Sequence, residues 1–220
     1  TLSLLIAILF STISFGQYEF THVKEMECTS VKNQQRTGTC WSFSTASFIE
    51  SELMRQGKGD FNLSEMFVVR NIYKDKARNY VLRQGKANFS QGSLAHDLLD
   101  VIDEVGIVPE SVYSGRLEKD APHDHSEMER GLKGFLDGIM KRSPLSSTWP
   151  VAFESILDAY LGEVPKTFEY EGQSYTPESF AEYLEINTRD FVNISSFKHH
   201  PFHSNFILEI PDNYSNGVFY

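Results

Sequence analysis

Basic charge is in short supply: 20 Lys and Arg stand against 30 Asp and Glu, for a net charge of -10. With no Lys/Arg stripe in view, nucleic acid is excluded as an expected partner, because phosphate binding relies on clustered cations. Cysteine is scarcer still. Cys28 and Cys40 are the 2 present, too few for a disulfide framework. Both are expected to be reduced, and Cys28 is most simply a structural residue. Repeats and low-complexity tracts are absent as well. Long apolar runs are limited to the front, where Thr1 to Phe15, TLSLLIAILFSTISF, is followed by Gly16. That run falls short of the about 20 residues a membrane-crossing helix needs. It reads as a secretory signal peptide over 1–16, front-truncated because an initiator Met and a basic segment are missing. Residues 17–220 would then be exported, periplasmic or secreted, with no stable membrane insertion.

What is present is concentrated between Val31 and Gly57, VKNQQRTGTCWSFSTASFIESELMRQG. Between Cys40 and Gln56 there is no proline or glycine, and Ala46, Ile49, Leu53 and Met54 recur at helical spacing. The pattern predicts a helix ending near Gly57, a plausible C-terminal cap. Cys40 stands at its start, where unpaired backbone N–H groups and the positive end of the helix dipole favour a thiolate over a thiol. Gln34 lies upstream across a turn containing Gly38. Its amide could return to the sulfur and, with the Cys40 backbone N–H, stabilise a tetrahedral oxyanion. A small buried cysteine is the plainer alternative at such a place.

The whole string narrows the choice. Gln34, Cys40, Trp41, Phe43 and Ser44 stand in the order and spacing of the active-site signature that this stretch resembles, that of the papain-like cysteine peptidases. The resemblance implies Cys40 as nucleophile, Gln34 in the oxyanion hole and Trp41 beside the substrate. Thr37 occupies a place where many such enzymes carry another cysteine, so the disulfide usual there cannot form.

Further along, FNLSEMFVVRNIYKDKARNYV predicts a helix capped by Asn62 or Ser64, with Met66, Val69, Ile72 and Tyr73 on one face. Leu63, Ser64 and Glu65 match a Leu-Ser-Glu element of the family, which implies scaffold. Leu94, Leu98, Leu99, Ile102 and Val105 then mark a helix stopped by Gly106. Ahead of it, Gln91, Gly92 and Ser93 form a polar turn open to two readings: an ordinary cap, or, by resemblance, the turn whose backbone pairs with substrate. His96, inside that helix, reads as a surface or satisfied core histidine.

Helical patterns at about Glu127 to Lys141 and Val151 to Leu161, separated by Pro144 and Pro150, depart from the compact papain plan and read as a helical insertion over about 115–170. Met128, Leu132, Phe135, Leu136 and Ile139 make one apolar face, weakened by Gly131, Gly134 and Gly138; Val151, Phe153, Ile156, Leu157 and Tyr160 make the other. Phe191 to Ile194 and Phe206 to Ile210 are strand candidates, with a turn at Asn213 to Gly217. His199, His200 and His203 lie between them, and a metal site joined by His123 and His125 is the sharper but disfavoured reading, since no standard ligand spacing occurs.

The stretch with Leu161, Gly162, Pro165, Phe168, Thr176, Pro177 and Phe180 resembles the bleomycin hydrolase and aminopeptidase C branch of the papain superfamily. The expected fold class is therefore α+β: a papain-like fold, here mainly its helical half, with the β-rich half incomplete. A catalytic His and an Asn in an Asn-Ser-Trp element do not occur up to Tyr220 and are expected beyond it, which makes this chain the inactive front part of a longer enzyme. The resemblance implies an aminopeptidase acting on peptide substrates through a Cys40 thioester, with no cofactor and no metal. It also implies a homo-oligomer, for which the sequence carries no interface signal. A secreted endopeptidase and an inactive papain-fold binding protein are the alternatives.

Overall fold

The computed structural model describes residues 18, 20–208 and 218–219. The first helix among the described residues, α1 (Cys40–Arg55), ends as its glycine predicts. Gly57 turns to a φ of +74°, and the N–H groups of Gly57 and Lys58 close on the carbonyls of Met54 and Leu53 at 2.9 and 3.0 Å. Of the two candidate caps for α2 (Glu65–Leu82), Ser64 is the one used, its Oγ accepting the Phe67 N–H at 3.0 Å. α2 is the pillar of the molecule. Met66, Phe67, Val68, Val69, Ile72, Tyr73, Ala77 and Tyr80 are all buried, because other helices cover more than one of its faces.

Around it pack α1, α3 (Ala95–Val105), α4 (Ser126–Ile139) and α5 (Trp149–Leu161). On α4, Met128, Leu132 and Leu136 point into the core at a four-residue spacing. Gly131, Gly134 and Gly138 face open space, so they weaken the helix without interrupting its packed stripe. On α5 the inward stripe is Phe153, Leu157 and Leu161, whereas Val151, expected on that face, is 63 % exposed. Pro150 does not separate the helices but sits in the first turn of α5, where its missing N–H has no partner to lose. Both helices join the same hydrophobic cluster as α1 to α3.

A hairpin absent from the expectations follows. β1 (Phe168–Tyr170) pairs antiparallel with β2 (Gln173–Tyr175), Phe168 opposite Tyr175. Glu171 and Gly172 between them take φ of 49° and 80°, the two positive values that a tight hairpin turn requires. Phe168, Tyr170 and Tyr175 surround Phe180 of α6 (Pro177–Leu184), with ring centroids 5.5, 5.1 and 5.6 Å away. Thr176 caps α6 and Pro177 opens it. The end of α3 touches this helix so closely that a Cβ on Gly106, itself at φ +80°, would lie 2.2 Å from the Pro177 carbonyl.

The strand expected over Phe191 to Ile194 does not form. Its side chains alternate half-buried and exposed, and Phe191 packs edge-on against Phe48 at 5.7 Å, but no neighbouring strand pairs with it among the described residues. Of Phe206 to Ile210, residues Ile207 and Leu208 form β3, antiparallel to β4 (Val218–Phe219). The turn expected at Asn213 to Gly217 and the signal peptide expected over 1–16 lie outside the described residues. Among the described residues helices carry the fold and the sheets are two antiparallel pairs of short strands, an α+β arrangement dominated by its helical part. Among the described residues no helix is long and apolar enough to cross a membrane.

Candidate active site

Cys40 is the first residue of α1 and is exposed and free of any disulfide. The turn before it closes on itself through side chains. Gln34 Nε2 donates to the Thr37 carbonyl at 2.5 Å, while the Thr37 hydroxyl donates to the Gln34 carbonyl at 2.9 Å. The Thr37 and Thr39 hydroxyls, both buried, meet at 2.5 Å. Gln34 is thus half-buried with one amide hydrogen fixed and one left for a ligand. Trp41, 7 % exposed, anchors the helix start beneath the site.

Two braces hold this turn from outside. Lys32 Nζ reaches Glu50 on α1 at 2.7 Å and Glu65 on α2 at 2.8 Å. Glu50, fully buried, also accepts the Leu63 N–H at 2.8 Å and the Thr29 hydroxyl at 2.6 Å. Burial opposes the Lys32 charge, but the bonds and charges of Glu50 and Glu65 outweigh it and raise the ammonium above its usual range. On the other side Arg36 N–H donates to the His123 carbonyl at 3.1 Å and His125 N–H to the Arg36 carbonyl at 3.4 Å. The Gln35 side chain accepts the His123 N–H. Burial pushes the rings of His123 and His125 down to about 4, with the Arg116 charge adding to the effect at His123. Among the described residues neither ring nitrogen of His125 has a hydrogen-bond partner.

Gln91, Gly92 and Ser93 come to the same place. Trp41 Nε1 donates to the Gln91 carbonyl at 3.0 Å, and the Gly38 N–H to Gln91 Oε1 at 2.7 Å. Buried Lys76 donates to the carbonyl of Ser90 at 2.8 Å and to that of Gly92. Burial lowers Lys76 to about 8, against the pull of Asp97 and Glu129. Ser93 is not itself the cap of α3; Asp97 reaches back to the Leu94 N–H at 2.8 Å and to the Ser93 hydroxyl. The structure therefore brings Gln34, Cys40, Trp41 and Gln91 to Ser93 around one surface. Lys76, Glu129 and the Lys32–Glu50 pair were missed as supports. Lys76 carried a signal, a charged residue set within an apolar face between Tyr73 and Ala77, whereas Lys32, in the loop before α1, carried none.

The remaining candidates separate from this site. Cys28, expected to be structural, is exposed. His123 and His125 are buried behind the turn, their rings 6.0 Å apart. The His200 ring stacks on Phe206 at 3.9 Å between centroids and meets the tilted ring of His199 at 4.4 Å. Three ligand-type side chains converge in one group among the described residues, His96, Asp97 and Asp100 on α3, and Asp97 there is engaged in capping. His96 lies 3.2 Å from Asp97. No hydrogen bond joins Cys40 Sγ to an imidazole among the described residues.

The sequence profile of the papain family cysteine proteases matches residues 17–133, more than half of the chain. The chain belongs to this family. Aminopeptidase C of Listeria monocytogenes serovar 1/2a (strain ATCC BAA-679 / EGD-e) is 25 % identical over 242 aligned residues, covering 90 % of this chain and 53 % of that protein. Aminopeptidase G of Lactobacillus delbrueckii subsp. lactis is 22 % identical, covering 88 % and 53 %. The viral cathepsin of Autographa californica nuclear polyhedrosis virus is 29 % identical over a shorter alignment, 50 % of this chain and 28 % of the cathepsin. The crystal structure of PepW from Lactobacillus rhamnosis HN001 (DR20) superposes with a TM-score of 0.61 at 20 % identity, over 88 % of this chain and 52 % of PepW, a likeness of fold. This papain-family chain spans about half the length of the aminopeptidases it matches.

Proposed function

We propose that the protein is a cysteine-type peptidase of the aminopeptidase C and bleomycin hydrolase type, with Cys40 as its nucleophile. The observation that carries this is the exposed Cys40 at the N-terminus of α1, beside a turn that fixes one hydrogen of the Gln34 amide and leaves the other free. The thiolate attacks a peptide carbonyl carbon, and the carbonyl electrons move to an oxyanion held by the Cys40 N–H and Gln34 Nε2. Collapse breaks the C–N bond, the amine takes a proton from a histidine, and water then hydrolyses the thioester. That histidine and its orienting asparagine belong to the β-rich half of the papain fold. Gln91 to Ser93 supply backbone contacts to the substrate. The helices within 115–170 are read as an insertion into the compact papain plan, and export is read from Thr1 to Gly16. Aminopeptidase action is favoured over internal cleavage by the names of the two bacterial relatives that align with about nine tenths of the chain.

The test uses the whole gene product with fluorogenic peptides whose N-terminus is free or blocked. Free substrates are expected to turn over and blocked ones not, with Cys40→Ala reducing turnover to background. Equal cleavage of both would identify an endopeptidase. Absence of turnover together with slow alkylation of Cys40 would leave a binding protein.

A further inference from the structure

Two loops meet at this site, and one side chain joins them. Gln91 Oε1 accepts the Gly38 N–H at 2.7 Å, two residues before Cys40, while Gln91 Nε2 donates to Glu129 Oε2 on α4 at 2.7 Å. The peptide carrying Gln91 is itself immobilised: Trp41 holds its carbonyl, and Lys76 holds the carbonyls on either side. The approach is close enough that a Cβ on Gly38 would lie 3.1 Å from Gln91 Cβ. Gly38 directly follows Thr37, whose carbonyl fixes the Gln34 amide. The plane of one peptide group therefore connects Gln91 to Gln34.

We propose that Gln91, through its hydrogen bonds to Gly38 and Glu129, is a positioning residue that sets the oxyanion donors of the Cys40 site. This role deepens the peptidase reading and rests on it. Gln91 is not a catalytic residue, because its side chain acts through the Gly38 turn. Its amide is suited to the place by having both an acceptor for Gly38 and a donor for Glu129. A carboxylate would keep the first bond, lose the second and face the Glu129 charge.

The effect should appear in the step where the oxyanion forms, leaving substrate binding alone. In the whole gene product, Gln91→Ala is expected to lower kcat about tenfold, the size of one lost neutral hydrogen bond. KM should stay within about twofold, and alkylation of Cys40 by iodoacetamide should keep its rate. Gln91→Glu should lose more, increasingly so as pH rises. The double variant Q91E/E129Q reverses donor and acceptor and should return kcat to within about threefold of wild type. Because Q91E and Q91E/E129Q differ only on α4, their ratio stays informative even if Q91A folds poorly. Unchanged kcat in Q91A, a loss confined to KM, or a double variant no better than Q91E would each overturn the role while leaving an active wild type as a peptidase. A wild type without turnover would overturn the peptidase reading, and this role with it.

Discussion

The turn from Gln34 to Cys40 and the segment from Phe197 to Phe206 are both rich in residues capable of chemistry, yet the molecule treats them in opposite ways. Around the first, side chains bond to α1, α2 and α4 and to the loop before α3. In the second, Phe197, His199, His200 and Phe206 form a run of ring contacts with one another. Reactive residue types become a site when the surrounding fold removes their freedom, and that support comes from groups with no chemistry of their own.

The sharpest way to break the contrast is to remove the support. Lys32→Met leaves Glu50 and Glu65 buried without their shared cation, and loss of one partner of a buried pair costs about 3–5 kcal/mol. A correspondingly lower urea midpoint is expected for K32M, and an unshifted midpoint would show that the brace is idle.

The buried histidines offer a second, pH-dependent break. The folded-state values of His123 and His125 are about 4, below the ordinary 6.5. The unfolded chain therefore binds protons first on acidification. The stability associated with neutral rings is complete above pH 6.5 and is lost as pH falls toward 4, by roughly 3 kcal/mol per ring at most. Urea unfolding at pH 7.5 and 5 should show the decline, and His125→Phe should flatten it. At the small end, His200→Ala removes an exposed-side stack and should change the thermal midpoint by no more than about 0.5 kcal/mol equivalent. A larger loss would mean that the second region is also built into the core.

The same contrast explains what could be read in advance. α1, α2, α3 and α4 were legible from apolar spacing because each buries one stripe or more, and Gly57 and Gly106 marked their ends because both require positive φ. Gln34, Cys40 and Trp41 were legible because they stand close together in the chain. Gln91 was found only as part of a loop that resemblance brought to the substrate. Its bond to Gly38 spans 53 residues, and local pattern carries no information at that range. The β1–β2 hairpin escaped because Glu171 takes the left-handed conformation usually signalled by Asn or Asp. Phe191 to Ile194 misled for the opposite reason: it alternates as a strand does, but pairing depends on a neighbour that the segment cannot specify.

Thr37 sets one further condition on the site. Its hydroxyl bonds to Gln34 and Thr39 hold the turn at a place where many papain-type enzymes carry a cysteine. Hydroxyls do not respond to thiols, glutathione or peroxide under the conditions that reshuffle disulfides. The bonds that hold this turn therefore outlast the conditions that would oxidise the exposed Cys40 thiol beside it, and a reductant that restores the thiol finds the surrounding turn unaltered.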